Sequence, residues 1–542
     1  MITNTPENGY RHKDIYSRKS LAWIAEKEKE LGKKIQSAAS SEANGKTAGE
    51  LRENTANRLD EIRQFVPVEV IYECDFDSRY SHLNVPNPQY MSLRNVLKGG
   101  RTEVFQYYVE KLNNTEIIYV DFVSLYPYVM SNREFPLGDP DVITNVDNLP
   151  WTKSSDVKYR GFVLCHIIPP KKLKIPTLHY SCKDRRLVFP LCRTCAEEKL
   201  YNCDHNEDER SWTAGYTTAE IEQALSDGCS VDEVHEIWHY KAWTDALFKE
   251  YIMKYMVMKI ENSGWGSCSS PDEKEAYLAD IKANCGIDLN PDKIEFNPGK
   301  RFVAKIMLNS LWGKLAQRAN PMNVIFTGNP GALDALFLDK RNEICDLTPF
   351  ANGIMRVAFR KREEEISAPR TNSLAIATYV TAYGRLKLLE SMRKVDAVYC
   401  DTDSIVYVKN NAGEFLPEGP HPCSLTRELS GCEIVEFIGA GPKNYGLKYN
   451  KNGTTHVDIK VRGFTLTHEA SKVLNYDVMK ESLMAYKQDV DNDKIPVPTF
   501  QITRNRKSEL HAKYGSKNYQ PVHSKSVFEN DGKMRPYGYL SD

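Results

Sequence analysis

The sequence predicts an α+β protein of several subdomains, from the pattern of its apolar residues and from its length. Strands are expected in apolar, β-branched runs, at residues 116–122, 158–168 and 395–408. Helices are expected where apolar residues recur with helical spacing, at residues 243–258, 300–317 and 373–392. A chain of 542 residues can form several subdomains around a large core.

Composition and charge narrow the class of protein. A hydrophobic content of 41% with 27% charged residues is typical of soluble globular chains. No run of 18 apolar residues occurs, and the first residues lack the apolar core of a signal peptide. Thirteen thinly spread cysteines favour reduced thiols. We therefore expect an intracellular protein without a membrane partner.

Two aspartates interrupt the strand pattern in YCDTDSIVY, residues 399–407. If one strand runs through the segment, Asp401 and Asp403 point to the same face. Burying two like charges is costly unless a cation neutralises them, so the pair indicates a divalent metal site. The alternative is a tight hairpin turn whose carboxylates cap backbone amides.

A third acidic residue, Asp121, ends the apolar strand in IIYVDFVSLYPYVM, residues 117–130. Pro127 limits how far regular structure can continue before it. A carboxylate at a strand end beside a turn is well placed to bind a metal ion. The alternative role is an N-cap of the following helix.

A basic helix is predicted in NPGKRFVAKIMLNSLWGKLAQR, residues 297–318, with Asn297 as cap and Pro298 in the first turn. Arg301, Lys305 and Asn309 fall on one face. Their two cations repel each other unless an anion such as a triphosphate binds both. The alternative is a solvent-facing basic stripe. Packing on other faces is expected from Phe302, Ile306 and Leu315.

A compact set of soft metal ligands lies in FPLCRTCAEEKLYNCDH, residues 189–205. The spacing C-x2-C-x7-C-x-H is formed by Cys192, Cys195, Cys203 and His205. Such a set can bind a structural zinc ion tetrahedrally, which would fold a loop-rich stretch that buries little by itself. The alternative is a group of free cysteines in a small core.

The motifs DxxSLYP, KxxxNSxxGK and YxDTDS occur in this order, and here the sequence resembles the polymerase domain of family B DNA polymerases, whose motifs A, B and C they match. GPKNYG at residues 441–446 looks like the KxY motif of the family. LKGGRTE at residues 97–103 is similar to the YxGG motif of the protein-primed branch, with Leu97 in place of tyrosine. The resemblance runs from about residue 66 to the C-terminus. Within the family, the chain looks like the protein-primed polymerases of adenoviruses, small phages, linear plasmids and polinton (Maverick) elements.

The resemblance implies a right-hand polymerase with palm, fingers and thumb subdomains and two insertions. The expected order is an N-terminal remnant or linker (1–96), palm (97–150), an insertion with the Cys/His cluster (151–242), fingers (243–318), a second insertion (319–365), palm (366–445) and thumb (446–542). The 3′–5′ exonuclease domain is expected to be absent, because residues 1–96 are short and contain no Asp-x-Glu motif. A truncated gene copy, or a start at an internal methionine, would explain this.

The resemblance also implies site residues. The expected catalytic residues are Asp121, Asp401, Asp403 and Lys305. Two Mg²⁺ ions, for which Mn²⁺ can substitute, are expected on Asp121, the Phe122 carbonyl and Asp403, with Asp401 as an accessory ligand. Nucleotide binding is expected from Phe122, Ser124, Leu125, Tyr126, Arg301, Lys305 and Asn309, with Tyr126 excluding a 2′-hydroxyl. DNA binding is expected from Gly99, Gly100, Thr402, Lys443 and Tyr445.

The sequence thus predicts a template-directed DNA polymerase that adds dNMPs to a primer 3′-hydroxyl. Primer–template DNA and dNTPs are its expected partners, and a terminal priming protein is a candidate partner. A viral or mobile-element replication system, in the nucleus or at a viral replication site, is the expected setting. The alternative is a non-catalytic, DNA-binding relic of a mobile element. A reverse transcriptase or RNA polymerase is disfavoured, because DTDS replaces their YxDD or GDD.

Overall fold

The structure, a computed structural model, describes residues 63–64, 91–144, 146–266, 268–318, 320–350, 353–362, 372–410, 415–419, 421–422, 424–487, 494–504, 510–529 and 532–540. The chain divides into two units, one of residues 5–94 and one of residues 1–4 with 95–542. Most of the predicted N-terminal remnant, residues 1–96, lies outside the described residues. The second unit contains the candidate site.

The described residues form strands and helices in the following order. The strands are β1 (Thr102–Val104), β2 (Tyr108–Glu110), β3 (Thr115–Phe122), β4 (Phe135–Leu137), β5 (Asp141–Ile143), β6 (Gly161–Ile168), β7 (Tyr180–Ser181), β8 (Leu187–Val188), β9 (Trp212–Thr217), β10 (Ser230–His239), β11 (Ala242–Thr244), β12 (Asn323–Thr327), β13 (Asn342–Pro349), β14 (Met355–Lys361), β15 (Asp396–Asp401), β16 (Ser404–Asn410), β17 (Leu425–Arg427), β18 (Glu433–Gly441), β19 (Asn444–Lys451), β20 (Thr454–Lys460), β21 (Ile495–Arg504), β22 (Leu510–Tyr519), β23 (Val527–Phe528) and β24 (Met534–Arg535). The α-helices are α1 (Leu93–Val96), α2 (Leu125–Asn132), α3 (Arg193–Glu198), α4 (Glu207–Arg210), α5 (Thr218–Ser226), α6 (Lys249–Glu261), α7 (Pro271–Cys285), α8 (Pro298–Leu315), α9 (Pro330–Leu338), α10 (Leu374–Met392), α11 (His468–Val473) and α12 (Tyr476–Lys487).

A nine-stranded sheet forms the centre of the second unit. Its main order is β1-β15-β16-β3-β18-β19-β20, with β17 beside β3 and β2 beside β18. Buried aromatic and β-branched side chains, among them Tyr399, Val406 and Phe437, form the core that this sheet shares with α11 and α12. The sheet continues past the predicted palm boundary at Tyr445 as far as Lys460, because β19 and β20 pair along their length.

The strand expected across residues 395–408 is a hairpin. β15 ends at Asp401, β16 begins at Ser404, and these two residues pair across a turn formed by Thr402 and Asp403. Thr402 has a φ of 65°, and the Asp403 amide donates to the Asp401 carbonyl at 2.7 Å. The expectation of one continuous strand is therefore wrong, and the hairpin alternative is confirmed for the backbone.

Other predicted elements are confirmed with shifted ends. The strands predicted at 116–122 and 158–168 are β3 and β6, and the helices predicted at 300–317 and 373–392 are α8 and α10. The helix predicted at 243–258 begins six residues later, at Lys249, because residues 242–244 pair with β4 instead. Ser373 caps α10, whose Leu374–Met392 length is buried on most sides.

The segment predicted as the first insertion, here called the first insertion for brevity, has its own antiparallel sheet, in the order β5-β10-β6-β9, covered by α5. The sheet begins with β5, before the predicted start of the insertion at residue 151. A buried ion pair of 2.7 Å joins Glu220 of α5 to Arg385 of α10. The Tyr379 hydroxyl of α10 donates to the Gly161 carbonyl at 2.6 Å. These contacts hold this sheet and α5 against α10.

The segment predicted as the second insertion contains a helix that the sequence did not predict. Its sheet has the order β12-β14-β13, as expected for a segment of strands and turns. Between β12 and β13, Asn329 caps α9 and Pro330 occupies its first turn. In the described part of the chain, no helix combines the length and apolar character needed to cross a bilayer.

Candidate active site

Three aspartates from two distant parts of the sequence meet at one end of the central strands of the large sheet. In the pairing of β16 with β3, Ser404 lies opposite Asp121. The Phe122 amide donates to the carbonyl of Asp403 at 2.7 Å. Strand register therefore fixes Asp121 beside the Asp401–Asp403 turn, as the sequence motifs predict.

The electrostatic surroundings of these carboxyl groups favour a bound cation. Burial, together with the nearby charges of Asp403 and Glu428, raises the pKa of Asp121 from 3.8 to about 7. Burial, followed by the charge of Asp401, also raises the pKa of Asp403. A divalent cation would relieve this repulsion, and the carboxylate oxygens are the hard ligands that Mg²⁺ prefers.

Asp401 already has neighbouring partners. Its Oδ1 accepts hydrogen bonds from the hydroxyls of Thr102 and Thr402, each at 3.1 Å, and it forms an ion pair with Lys443. The partners of this carboxylate are therefore side chains, whereas the hairpin alternative expected it to cap backbone amides. Asp121 and Asp403 are left as the better candidates for bridging metal ions.

The glycine pair before β1 supports the aspartate turn. A Cβ on Gly100 would come within 2.6 Å of Thr402 Cγ2, whereas a Cβ on Gly99 would meet nothing within 4 Å. The Thr402 amide donates to the carbonyl of Arg101 at 2.7 Å. Gly100 thus allows the chain to pass directly against the turn.

Lys443 and Tyr445 are placed differently from each other. Lys443 is exposed and its amide donates to the Tyr399 hydroxyl at 3.0 Å. Tyr445 is only 3% exposed, and its hydroxyl is 3.0 Å from that of Tyr119 within the core. The ring predicted to contact DNA therefore packs beneath the sheet and positions the turn that carries Lys443.

The basic helix α8 presents its predicted polar face to solvent. Arg301, Lys305 and Asn309 are exposed, and they line an open cavity of about 540 Å³. The buried face is formed by Ala304, Leu308 and Leu315. The expectation that Phe302 and Ile306 pack elsewhere is wrong, because they are 63% and 46% exposed and line the same cavity.

One cation beside this helix has no signal in the sequence. Lys259 of α6 donates to the Ser124 hydroxyl at 3.0 Å, in the turn that follows β3. Burial lowers the pKa of Lys259, and the charges of Arg301 and Lys305 lower it further. Three cations therefore lie within electrostatic reach of one another, and Lys305 is also close enough to lower the pKa of Asp121.

Tyr126 lies at the start of α2, beside the carboxylates. Its ring centroid is 5.5 Å from that of Trp312, and a Cβ on Gly384 would come within 2.9 Å of Tyr126 Cε1. Burial raises the pKa of Tyr126 to about 12, so its hydroxyl stays neutral. The Leu125 side chain, also expected at the nucleotide site, is 1% exposed and belongs to the core.

The four predicted zinc ligands come together in the first insertion. One ligand atom from each of Cys192, Cys195, Cys203 and His205 lies within 4.8 Å of the others. The sulfurs lie 3.6, 3.3 and 3.7 Å from His205 Nδ1, in that order. Cys192 also caps α3 by accepting from the Cys195 amide. The fold of this segment thus gathers the whole set.

Comparison with known proteins shows what part of the chain is similar to. Residues 70–266 match the family model "DNA polymerase type B, organellar and viral". No match is found among curated proteins. Among solved structures, Phi29 DNA polymerase complexed with primer-template DNA and incoming nucleotide substrates is similar at 13% identity and a TM-score of 0.49, over 94% of this chain and 79% of that one.

Two further Phi29 structures are similar. The enzyme complexed with single-stranded DNA has 14% identity and a TM-score of 0.42, over 71% of this chain and 56% of that one. An orthorhombic crystal form has 16% identity and a TM-score of 0.44, and the match spans 59% of its length. The matched residues 70–266 contain Asp121, its turn and the Cys/His cluster. The resemblance of the chain to family B DNA polymerases of the organellar and viral type is thereby confirmed.

Proposed function

We propose that the chain is a template-directed DNA polymerase that adds dNMPs to a primer 3′-hydroxyl. The observation that carries this proposal is the meeting of Asp121 and Asp403, each with a raised pKa, with the cations of α6 and α8. Phosphoryl transfer requires ligands for metal ions next to cationic groups that bind the triphosphate. Both kinds of group lie around the turn after β3.

The donor set at the turn suits two Mg²⁺ ions, or Mn²⁺ in their place. Asp121, Asp403 and the Phe122 carbonyl would hold them, because all three supply oxygen ligands at a place where carboxylate charges accumulate. When bound, the ions would supply charge neutralisation at the transferred phosphoryl group and the leaving pyrophosphate.

The protein side chains would bind and orient the reactants. Lys259, Arg301 and Lys305 would pair with the triphosphate, whose several negative charges offset the repulsion among the three cations. Tyr126, held by Trp312 and by α10, would lie under the deoxyribose and exclude a 2′-hydroxyl. Asn309 lines the same cavity as Lys305 and would complete the nucleotide pocket.

Primer–template DNA is the macromolecular partner that the charges favour. A cavity of about 630 Å³ beside the Lys443 turn is lined by five cationic side chains, those of Arg185, Arg186, Arg462, Lys494 and Lys525. Such a groove suits a phosphate backbone. A terminal priming protein, and an origin in a viral or mobile-element replication system, are part of the same proposal through the LKGGRTE motif.

The alternative of a non-catalytic relic gains no support from the site. A relic that only binds DNA has no need of two carboxyl groups that both have a raised pKa, yet these remain together with Lys305. A primer-extension assay with Mg²⁺ and dNTPs separates the two hypotheses. We expect extension by the wild-type chain and by Asp396→Asn, a control at the exposed start of β15. Asp403→Asn should not extend, and a wild-type chain that binds DNA without extending it would establish the relic.

A further inference from the structure

The geometry around His205 calls for a metal ion. Neutral imidazole Nδ1 can make one hydrogen bond, as donor or as acceptor, and three thiol sulfurs surround this atom at 3.3–3.7 Å. Zinc bond lengths of about 2.3 Å to sulfur and about 2.0 Å to nitrogen place tetrahedral ligands about 3.5 Å apart. The sulfur-to-nitrogen distances thus fit a zinc centre, and one nitrogen cannot form hydrogen bonds with all three sulfurs at once.

A buried arginine supplies the charge that such a centre needs. Arg210 is 2% exposed, and in the described part of the chain its guanidinium donates to Cys203 Sγ and to the carbonyls of Gly538 and Pro170, at 3.0–3.2 Å. A buried cation is costly without an anion. Three thiolates with one Zn²⁺ carry a net charge of about −1, which this arginine would balance.

The segment that Arg210 contacts, residues 521–529 and 532–540, is here called the strap. Gly538 packs so closely that an added Cβ would lie 2.2 Å from Cys192 Cβ. The Leu191 amide donates to the Tyr537 carbonyl at 2.7 Å, and Tyr537 is buried with Cys192 and Cys195 in one apolar cluster. The strap therefore packs directly against the segment that carries the four predicted ligands.

The strap contacts the edge of the large sheet on its other side. The Met534 amide donates to the Phe105 carbonyl at 2.7 Å, and the Tyr107 amide to the Gly532 carbonyl at 3.1 Å. Lys525 donates to the carbonyl of Thr102 at 3.0 Å, and the Thr102 hydroxyl holds Asp401. The strap thus connects the first insertion to the strand beside the carboxylates.

We propose that Cys192, Cys195, Cys203 and His205 bind one Zn²⁺ ion, and that this zinc centre fastens the strap between the first insertion and the edge of the large sheet. The bound ion fixes the chain on both sides of α3. This keeps Arg210, and the surface against which Gly538 packs, in place for the strap. The proposal does not depend on polymerase activity, since it concerns only metal content and the order of the strap.

Metal analysis and hydrogen–deuterium exchange of the full chain test both parts. Wild-type protein purified without chelator should contain about one zinc per chain. Removing the zinc with a chelator should accelerate amide exchange in strap peptides by roughly tenfold or more, because local opening would no longer be opposed by metal binding. Peptides from β15 and β16 serve as an internal reference and should exchange as before.

Two variants separate the metal from the strap. Cys195→Ala together with Cys203→Ala should lose the zinc and show the fast strap exchange, while Cys345→Ala, at an exposed thiol outside the cluster, should change neither. Gly538→Ala should keep the zinc and still release the strap, since its Cβ cannot fit against Cys192. This last variant keeps the test informative if the double variant does not fold.

Two results would overturn the proposal. Folded protein that contains no zinc would remove the metal centre. Protein that loses its zinc while strap exchange stays unchanged would show that the ion does not fasten the strap.

Discussion

The carboxylate site and the Cys/His cluster gather metal ligands in opposite ways. The four ligands of the cluster come from one short segment around α3 and α4. The carboxylates come from β3 and from the β15–β16 hairpin, which meet only through strand register. The sheet therefore builds the carboxylate site before any ion binds, whereas the zinc proposed for the cluster would itself fix the shape of the segment. Loss of a ligand should accordingly affect chemistry at the first site and stability at the second.

The largest effect is expected from Asp121→Asn. Loss of this ligand should lower the rate of nucleotide addition about a thousandfold or more, because several kcal/mol of charge stabilisation are lost at about 1.4 kcal/mol per factor of ten. Folding should be preserved. Cys195→Ala with Cys203→Ala should instead lower the melting temperature and leave the rate within about tenfold of wild type. Single-turnover primer extension and thermal melting of both variants measure this, and similar losses of rate would contradict the contrast.

How far the sequence predicts each site follows from the same contrast. Spacing alone predicts all four cluster ligands, because they are neighbours in the chain. Asp121 and Asp403 are predicted through motif order, but the apolar residues on both sides of the Asp401–Asp403 turn leave a continuous strand and a hairpin turn both open. Lys259 and Glu428 are not predicted, because helix packing and strand register bring them to the site and no local pattern marks them.

The sugar pocket tests whether the surroundings of the carboxylates are equally fixed by the fold. Tyr126 is held by Trp312 and by α10, so Tyr126→Val should open space below the sugar without moving the metal ligands. Discrimination against ribonucleotides should fall roughly 10- to 200-fold, the range expected for a steric pocket. Tyr128→Val, on the same helix, is the control. The measurement is the ratio of kcat/KM values for dNTP and rNTP, and an unchanged ratio would place the gate elsewhere.

A smaller effect is expected at the glycine pair beneath the turn. Gly100→Ala forces Cβ against Thr402 and should displace the turn, at a cost of about 1–3 kcal/mol and roughly tenfold or more in rate. Gly99→Ala has open space around its Cβ and is the matched control. Extension rates compared at equal zinc content show whether the effect is confined to the carboxylate site. Equal rates for the two variants would mean that the turn does not need the close approach of Gly100.

The smallest effect concerns pH and the metal-free protein. The pKa of Asp121 in the folded state, about 7, lies above the ordinary value of 3.8, so between these values the folded protein holds a proton that the unfolded chain has lost. Stability therefore falls as pH rises from about 4 to about 7 and is level above that. Without Mg²⁺, Asp121→Asn should melt a few degrees above wild type at pH 8 and no higher at pH 4, since about 1 kcal/mol moves the melting temperature by about 2–4 °C.

Mg²⁺ should raise the melting temperature of wild type at pH 8, but much less at pH 5, where the carboxyl is protonated. The same Mg²⁺ shift in Asp121→Asn would show that the ion binds away from this aspartate, and the contrast with the zinc cluster would then lose its basis.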